Sequence, residues 1–159
     1  MRPGVTLYFA QSLDGRIGLG RTRERALLST EEGVVRAHQA RSRHDAVLVG
    51  IETLLHDDPL LTARAAGGPQ PLRVVLDSAL RTPLTARLLA AGREGNRDVA
   101  PALLIGCAER ASAERRRLLE DAGAQVQLTS ASRDGRVHLA EALALLLARG
   151  VRSLLVEGG

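Results

Sequence analysis

His56, Asp57 and Asp58 put an imidazole and two carboxylates side by side just ahead of Pro59. Such a set could hold a metal ion or exchange a proton. It could equally end a helix, because Asp before Pro is ordinary turn chemistry. A metal site needs three or four convergent ligands, and His38, His44 and His138 show no ligand spacing, so no metal is expected. Glu157, Gly158 and Gly159 close an apolar run. Paired glycines there let backbone N–H groups approach a phosphate, or simply make a turn. Arg41 and Arg64 are candidates for a bidentate phosphate clamp. Arg115, Arg116 and Arg117 sit between Glu114 and Glu120, where pairing one helical turn apart accounts for them. Ser12, Ser29 and Ser78 lack the strand, GxSxG and helix setting of a hydrolase nucleophile. Cys107 has no His partner in view and reads as a small buried hydrophobe.

Composition narrows the classes. The 159 residues, 45% of them apolar, suffice for one domain spanning 1–159 with a substantial core. Tyr8 and Phe9 are the only aromatics, so single-stranded nucleic acid would find almost no stacking platform. All 22 basic side chains are Arg and the net charge is only +4. That suits a phosphorylated small molecule, and no nucleic-acid partner is expected. One cysteine excludes an intramolecular disulfide framework and sets a reduced, cytoplasmic location as the default. No apolar run is long enough for a membrane span, and the start is not that of a secretion signal.

These side chains need elements to position them. Val5 to Ala10 favours a strand that Asp14-Gly15 closes. Ser29 or Thr30 with Glu31 and Glu32 opens a helix that should end near Arg43. Asp45 to Gly50, Leu72 to Leu76 and Ala102 to Cys107 are continuous apolar runs, as strands covered on both faces require. Glu52 onward begins a helical turn that Pro59 stops at or before Asp58. Arg93 to Asp98 is a polar surface loop. Ala111 to Ala122 is an amphipathic helix with Leu118 and Leu119 on its apolar side, and Gly123 stops it. A strand from Ala124 to Leu128, a helix from His138 to Arg149 and a strand from Ser153 to Val156 complete the alternation, which predicts an α/β sandwich on a largely parallel sheet.

In such sheets ligands gather at the carboxyl ends of strands. The polar tips there are Gln11 to Gly15, Gly50 to Thr53, Asp77-Ser78, Gly106-Cys107 and Glu157 to Gly159.

Read in order, five segments form one pattern. They are Ala10-Gln-Ser-Leu-Asp-Gly-Arg16; Asp45 to Gly50 with Thr53; Asp57-Asp-Pro59 with Leu61-Thr62 and Arg64; Gln70 to Ser78; and Leu155-Val-Glu-Gly-Gly159. The pattern resembles the reductase domain of bifunctional riboflavin biosynthesis deaminase-reductases. The resemblance implies a dihydrofolate reductase-like three-layer sandwich with a central, mostly parallel sheet. It also implies NADPH-dependent reduction of a phosphoribosylamino-pyrimidine to its ribitylamino form, in a cytoplasmic homodimer. Carried over by motif, Ala10, Thr53, Asp57, Ser78, Gly158 and Gly159 look like cofactor contacts. Arg41, Leu61, Arg64 and Glu157 look like substrate contacts. No proton donor is identified.

Two features depart from the family. Where its members carry a Ser-Gln-Trp-Ile-Thr-Ser stretch, this chain has Glu24 to Ser29, without the substrate-side Ser and the cofactor-side Trp. The sequence also reaches only Gly159 where the family continues through a helix and further strands, so a C-terminally truncated domain is expected. The alternatives are a reductase of a related pterin or pyrimidine, or a noncatalytic nucleotide-binding module of the same fold.

Overall fold

The computed structural model describes residues 1–17, 30–90 and 99–158. Strands of five residues build the sheet: β1 (Gly4–Tyr8), β2 (Ala46–Gly50), β3 (Leu72–Leu76), β4 (Leu103–Cys107), β5 (Gln125–Thr129) and β6 (Ser153–Glu157). The spatial order is β1-β6-β2-β3-β4-β5, with every neighbouring pair parallel. Parallel strands need crossover connections, and the five helices supply them: α1 (Glu31–Ser42), α2 (Ile51–Asp57), α3 (Arg87–Ala90), α4 (Ala113–Asp121) and α5 (Leu139–Ala148).

Alternation along the strands feeds two cores. Val47, Val49, Val75, Leu104 and Leu155 face one layer with Leu54, Leu88, Leu89 and Leu119 from the helices. Ala46, Leu48, Val74, Leu103 and Ile105 face the other, under Ala142 and Leu146 of α5. This is the three-layer sandwich that the resemblance implies, on the parallel sheet that the alternation of strands and helices predicts. The hydrogen bonds of Asp45 align the amino ends of its strands: Oδ2 accepts from Arg152 N at 2.9 Å, Ser153 N at 2.8 Å and Ser153 Oγ at 2.9 Å.

Helix ends follow local chemistry. Thr30 caps α1 by accepting from Gly33 N at 3.2 Å. Asp58 ends α2 in the left-handed region at φ 42, its N–H donating to Leu54 O at 2.9 Å, one residue ahead of Pro59. No helix among the described residues is long and apolar enough to cross a membrane.

Four local details differ from the sequence reading. The first strand ends at Tyr8, so Phe9 and Ala10 leave the sheet. Leu118 is exposed and only Leu119 of that pair is buried, because the layer beneath α4 admits one row of side chains. Arg115 reaches to Leu80 O and Thr82 O rather than to a carboxylate, leaving Arg116–Glu120 and Arg117–Asp121 as the pairs along the helix. The short helix α3 had no sequence signal beyond two leucines, Leu88 and Leu89, both buried. The Arg93 to Asp98 loop lies outside the described residues.

Candidate functional site

β6 returns from β5 to lie between β1 and β2, and its register with β2 sets Leu48 beside Val156. The carboxyl ends of these parallel strands therefore stand together, on the edge of an α/β sheet where ligands bind. A cleft of about 310 Å³ opens there, and its walls include Ala10, Arg41, Thr53, Asp57, Leu61, Glu157 and Gly158. Seven of the ten residues singled out from the sequence thus share one cavity.

Arg41 and Glu157 are its electrostatic centre. Arg41 donates from Nε to Glu157 Oε1 at 2.8 Å and from Nη2 to Oε2 at 2.7 Å, with both side chains largely buried. Nη1 donates to Thr62 O at 3.2 Å. A guanidinium committed in this way is no longer a free phosphate clamp; it holds the carboxylate in one orientation. The carboxylate keeps lone pairs that can accept from N–H or O–H groups of a ligand.

Arg64 differs. It is exposed, and its Nη1 donates to the neutral Thr62 Oγ1 at 3.1 Å. Its charge is therefore available to an anion at the rim, although it does not line the cleft.

His38, the only buried residue of α1, also faces this cavity. Burial, then the nearby Arg41 and Arg64 guanidinium groups, lower its pKa below the ordinary 6.5. Its ring is held neutral near pH 7, and among the described residues Nδ1 has no hydrogen-bond partner. Leu61 adopts φ +55 with its side chain buried in the core, a backbone that costs a residue with a Cβ on the order of 1 kcal/mol.

A second cleft of about 950 Å³ runs along the carboxyl ends of β2 and β3 and includes Gly50, Thr53, Ser78, Arg81, Arg110 and Arg136. Thr53 lines both cavities. Gly158 touches the same threonine: at φ +147 a Cβ added there would meet Thr53 Oγ1 at 3.1 Å. Thr53 thus stands where the two clefts meet, with Gly158 packed against it. Ser78 Oγ accepts from Val137 N at 3.1 Å, which leaves its hydroxyl proton free to donate.

Gly159 and the Glu24 to Ser29 stretch lie outside the described residues. Asp77, a sequence candidate at the same strand end as Ser78, is instead buried and structural: its Oδ2 accepts from Thr82 N at 2.7 Å and Thr82 Oγ1 at 2.8 Å. His56 and Asp57 contact each other, Nδ1 to Oδ1 at 2.9 Å, on the exposed last turn of α2. Among the described residues no three His, Cys, Asp or Glu side chains could hold a metal ion. Sequence reasoning passed over His38 and Arg110. The helical spacing of His38 from Val34 and Val35 was the available signal for the first, and nothing local marked the second.

Comparison with known proteins adds an independent line. The family described as RibD C-terminal domain matches residues 3–159. A 2,5-diamino-6-ribosylamino-4(3H)-pyrimidinone 5′-phosphate reductase of Methanothermobacter thermautotrophicus is 40% identical, across 100% of this chain and 68% of that protein. The protein of the same name from Archaeoglobus fulgidus is 37% identical, across 100% of this chain and 71% of its own length. A solved diaminohydroxyphosphoribosylaminopyrimidine deaminase/5-amino-6-(5-phosphoribosylamino)uracil reductase from Thermotoga maritima superposes with a TM-score of 0.72 at 28% identity, covering 99% of this chain and 39% of that one.

Proposed function

The chain belongs to the RibD C-terminal domain family, and on that premise we propose that it is the NADPH-dependent reductase of a phosphoribosylamino-pyrimidine in riboflavin biosynthesis. The observation that carries the reading is the oriented Glu157 carboxylate, fixed at two points by Arg41, in a cleft that meets a second cleft at Thr53 and Gly158.

In this reading the smaller cleft takes the reacting ends of both molecules. A bound reduced nicotinamide supplies the hydride that opens the ribose to a ribityl chain. The chain's own residues supply position and electrostatics. Glu157 accepts from the pyrimidine or its sugar. Arg64 neutralises the substrate phosphate at the rim. Leu61 shapes the apolar wall, with its backbone locked by packing. Ala10, Thr53 and Gly158 line the passage along which the dinucleotide lies, and Asp57 borders it. Neutral His38 closes the floor without adding a second positive charge beside Arg41.

The same reading takes the protein to be a cytoplasmic homodimer, with a phosphorylated pyrimidine as its small-molecule partner. Light scattering on the purified chain tests the dimer. The activity is tested by following oxidation of NADPH with the diaminopyrimidinone substrate and, separately, with its uracil counterpart. Oxidation that depends on one of them is the expected result. Absence of oxidation with both overturns the proposal.

A further inference from the structure

The two clefts differ in charge as well as size. In the smaller one Arg41 is cancelled by Glu157, and Asp57, the other carboxylate of the described lining, contacts His56. The larger one carries three guanidinium groups, from Arg81, Arg110 and Arg136, against the carboxylates of Glu52 and Asp134. A dinucleotide is anionic only along its phosphates, so Coulomb forces favour the nicotinamide in the first cleft and the phosphate-rich adenosine half in the second.

The three arginines are not equivalent. Arg81 contacts the Glu52 carboxylate, and Arg136 Nε faces Asp134 Oδ2 at 3.5 Å. Arg110 donates from Nη1 to Gly135 O at 3.0 Å, a neutral acceptor, and among the described residues it pairs with no carboxylate. That hydrogen bond orients the guanidinium without cancelling its charge. The residue itself is tied down, since Arg110 N donates to Cys107 O at 3.1 Å and Cys107 N donates to Ser78 O at 3.1 Å. Arg110 and Ser78 both line this cavity, supplying a planar cation and a hydroxyl to it. A phosphate monoester is the group that such a pair recognises.

We infer that Arg110, assisted by Ser78, is the specificity determinant that selects the phosphorylated dinucleotide, by binding the phosphate on the adenosine ribose. The inference rests on the reductase reading above and can fail without it.

Calorimetric titration of the 159-residue chain with NADPH, NADH, 2′,5′-ADP and 5′-AMP tests it, comparing the unmodified chain with Arg110→Gln and Arg110→Lys. The unmodified chain is expected to bind NADPH over NADH and 2′,5′-ADP over 5′-AMP. Arg110→Gln should reduce both preferences about 10- to 100-fold, the worth of one charge-assisted contact. Arg110→Lys should restore part of each, because the charge returns without the planar fork. Circular dichroism confirms that each variant is folded, and if Arg110→Gln does not fold, the Lys variant alone decides by whether its preferences fall. If NADPH binds and both preferences survive in the variants, Arg110 is not the determinant and the reductase reading stands. If the unmodified chain binds neither dinucleotide, both fall.

Discussion

The Arg41 guanidinium and the Glu157 carboxylate meet in a two-point contact, 2.8 and 2.7 Å, that joins the end of α1 to the end of β6 across the cleft. One interaction therefore sets the position of a ligand acceptor and fastens a helix to the sheet. Glu157→Gln breaks the charge match and points an N–H toward Arg41. We expect kcat/KM to fall about 100-fold, which is about 2.7 kcal/mol of transition-state stabilisation, and the fold to lose about 3 kcal/mol from a guanidinium left without its partner. Steady-state kinetics and urea unfolding read the two effects separately.

Arg64 is expected to act on binding rather than on turnover. Among the described residues its exposed guanidinium makes one hydrogen bond, to Thr62 Oγ1, so its removal is expected to leave the fold intact. Arg64→Ala should raise KM for the phosphorylated substrate about tenfold with kcat nearly unchanged. A matching loss of kcat with constant KM would contradict a role at the substrate phosphate.

Gly158 sits where backbone and Thr53 approach most closely. Gly158→Ala places a methyl group 3.1 Å from Thr53 Oγ1 at a φ of +147 that side chains rarely adopt. Dinucleotide affinity, followed by nicotinamide fluorescence, is expected to fall about tenfold or more, equivalent to about 1.4 kcal/mol. Unchanged affinity would move the cofactor away from this junction.

His38 makes the protein sensitive to acid. Its pKa in the fold lies below 6.5, chiefly through burial and then through Arg41 and Arg64, against the opposing pull of the Thr62 carbonyl and Glu157. The unfolded chain therefore binds the proton more readily. The stability linked to the neutral ring is complete above about pH 6.5 and is lost as pH falls below it, until the folded-state pKa is passed. Urea midpoints at pH 7.5 and 5.5 should separate more for the unmodified chain than for His38→Gln.

Arg73 is buried, and its pKa is lowered to about 10 by desolvation. Nη1 donates to Leu88 O and Nη2 to Ala100 O, both at 2.6 Å, holding the two flanks of the 91–98 segment against β3. Arg73→Met fills the volume but strips both carbonyls of their donors. A loss of about 2–4 kcal/mol in chemical denaturation is expected.

Much of the architecture is written locally. Ala46 to Val49 and Ala102 to Cys107 are apolar throughout, and Leu72 to Leu76 is interrupted only by Arg73; a sheet covered on both faces satisfies such runs. Thr30, Pro59, Gly123 and Gly150 mark helix ends through capping and backbone preferences, which involve neighbours in sequence alone. The motif residues Ala10, Thr53, Asp57, Leu61 and Glu157 could be named in advance through the resemblance that their motifs carry. What those side chains touch is another matter. Arg41 and Glu157 stand 116 residues apart, and nothing short of the β6–β2 pairing tells that the first is consumed by the second. Arg64, only 23 positions beyond Arg41, keeps its charge available because among the described residues no carboxylate pairs with it. The sequence by itself determined the strands, the helix ends and the list of polar tips, since these depend on pattern and short-range sterics. Tertiary structure alone decided which charges cancel, which histidine is buried and which arginine is left with a neutral partner, because electrostatic roles are set by distances between strand ends that meet only in the folded sheet.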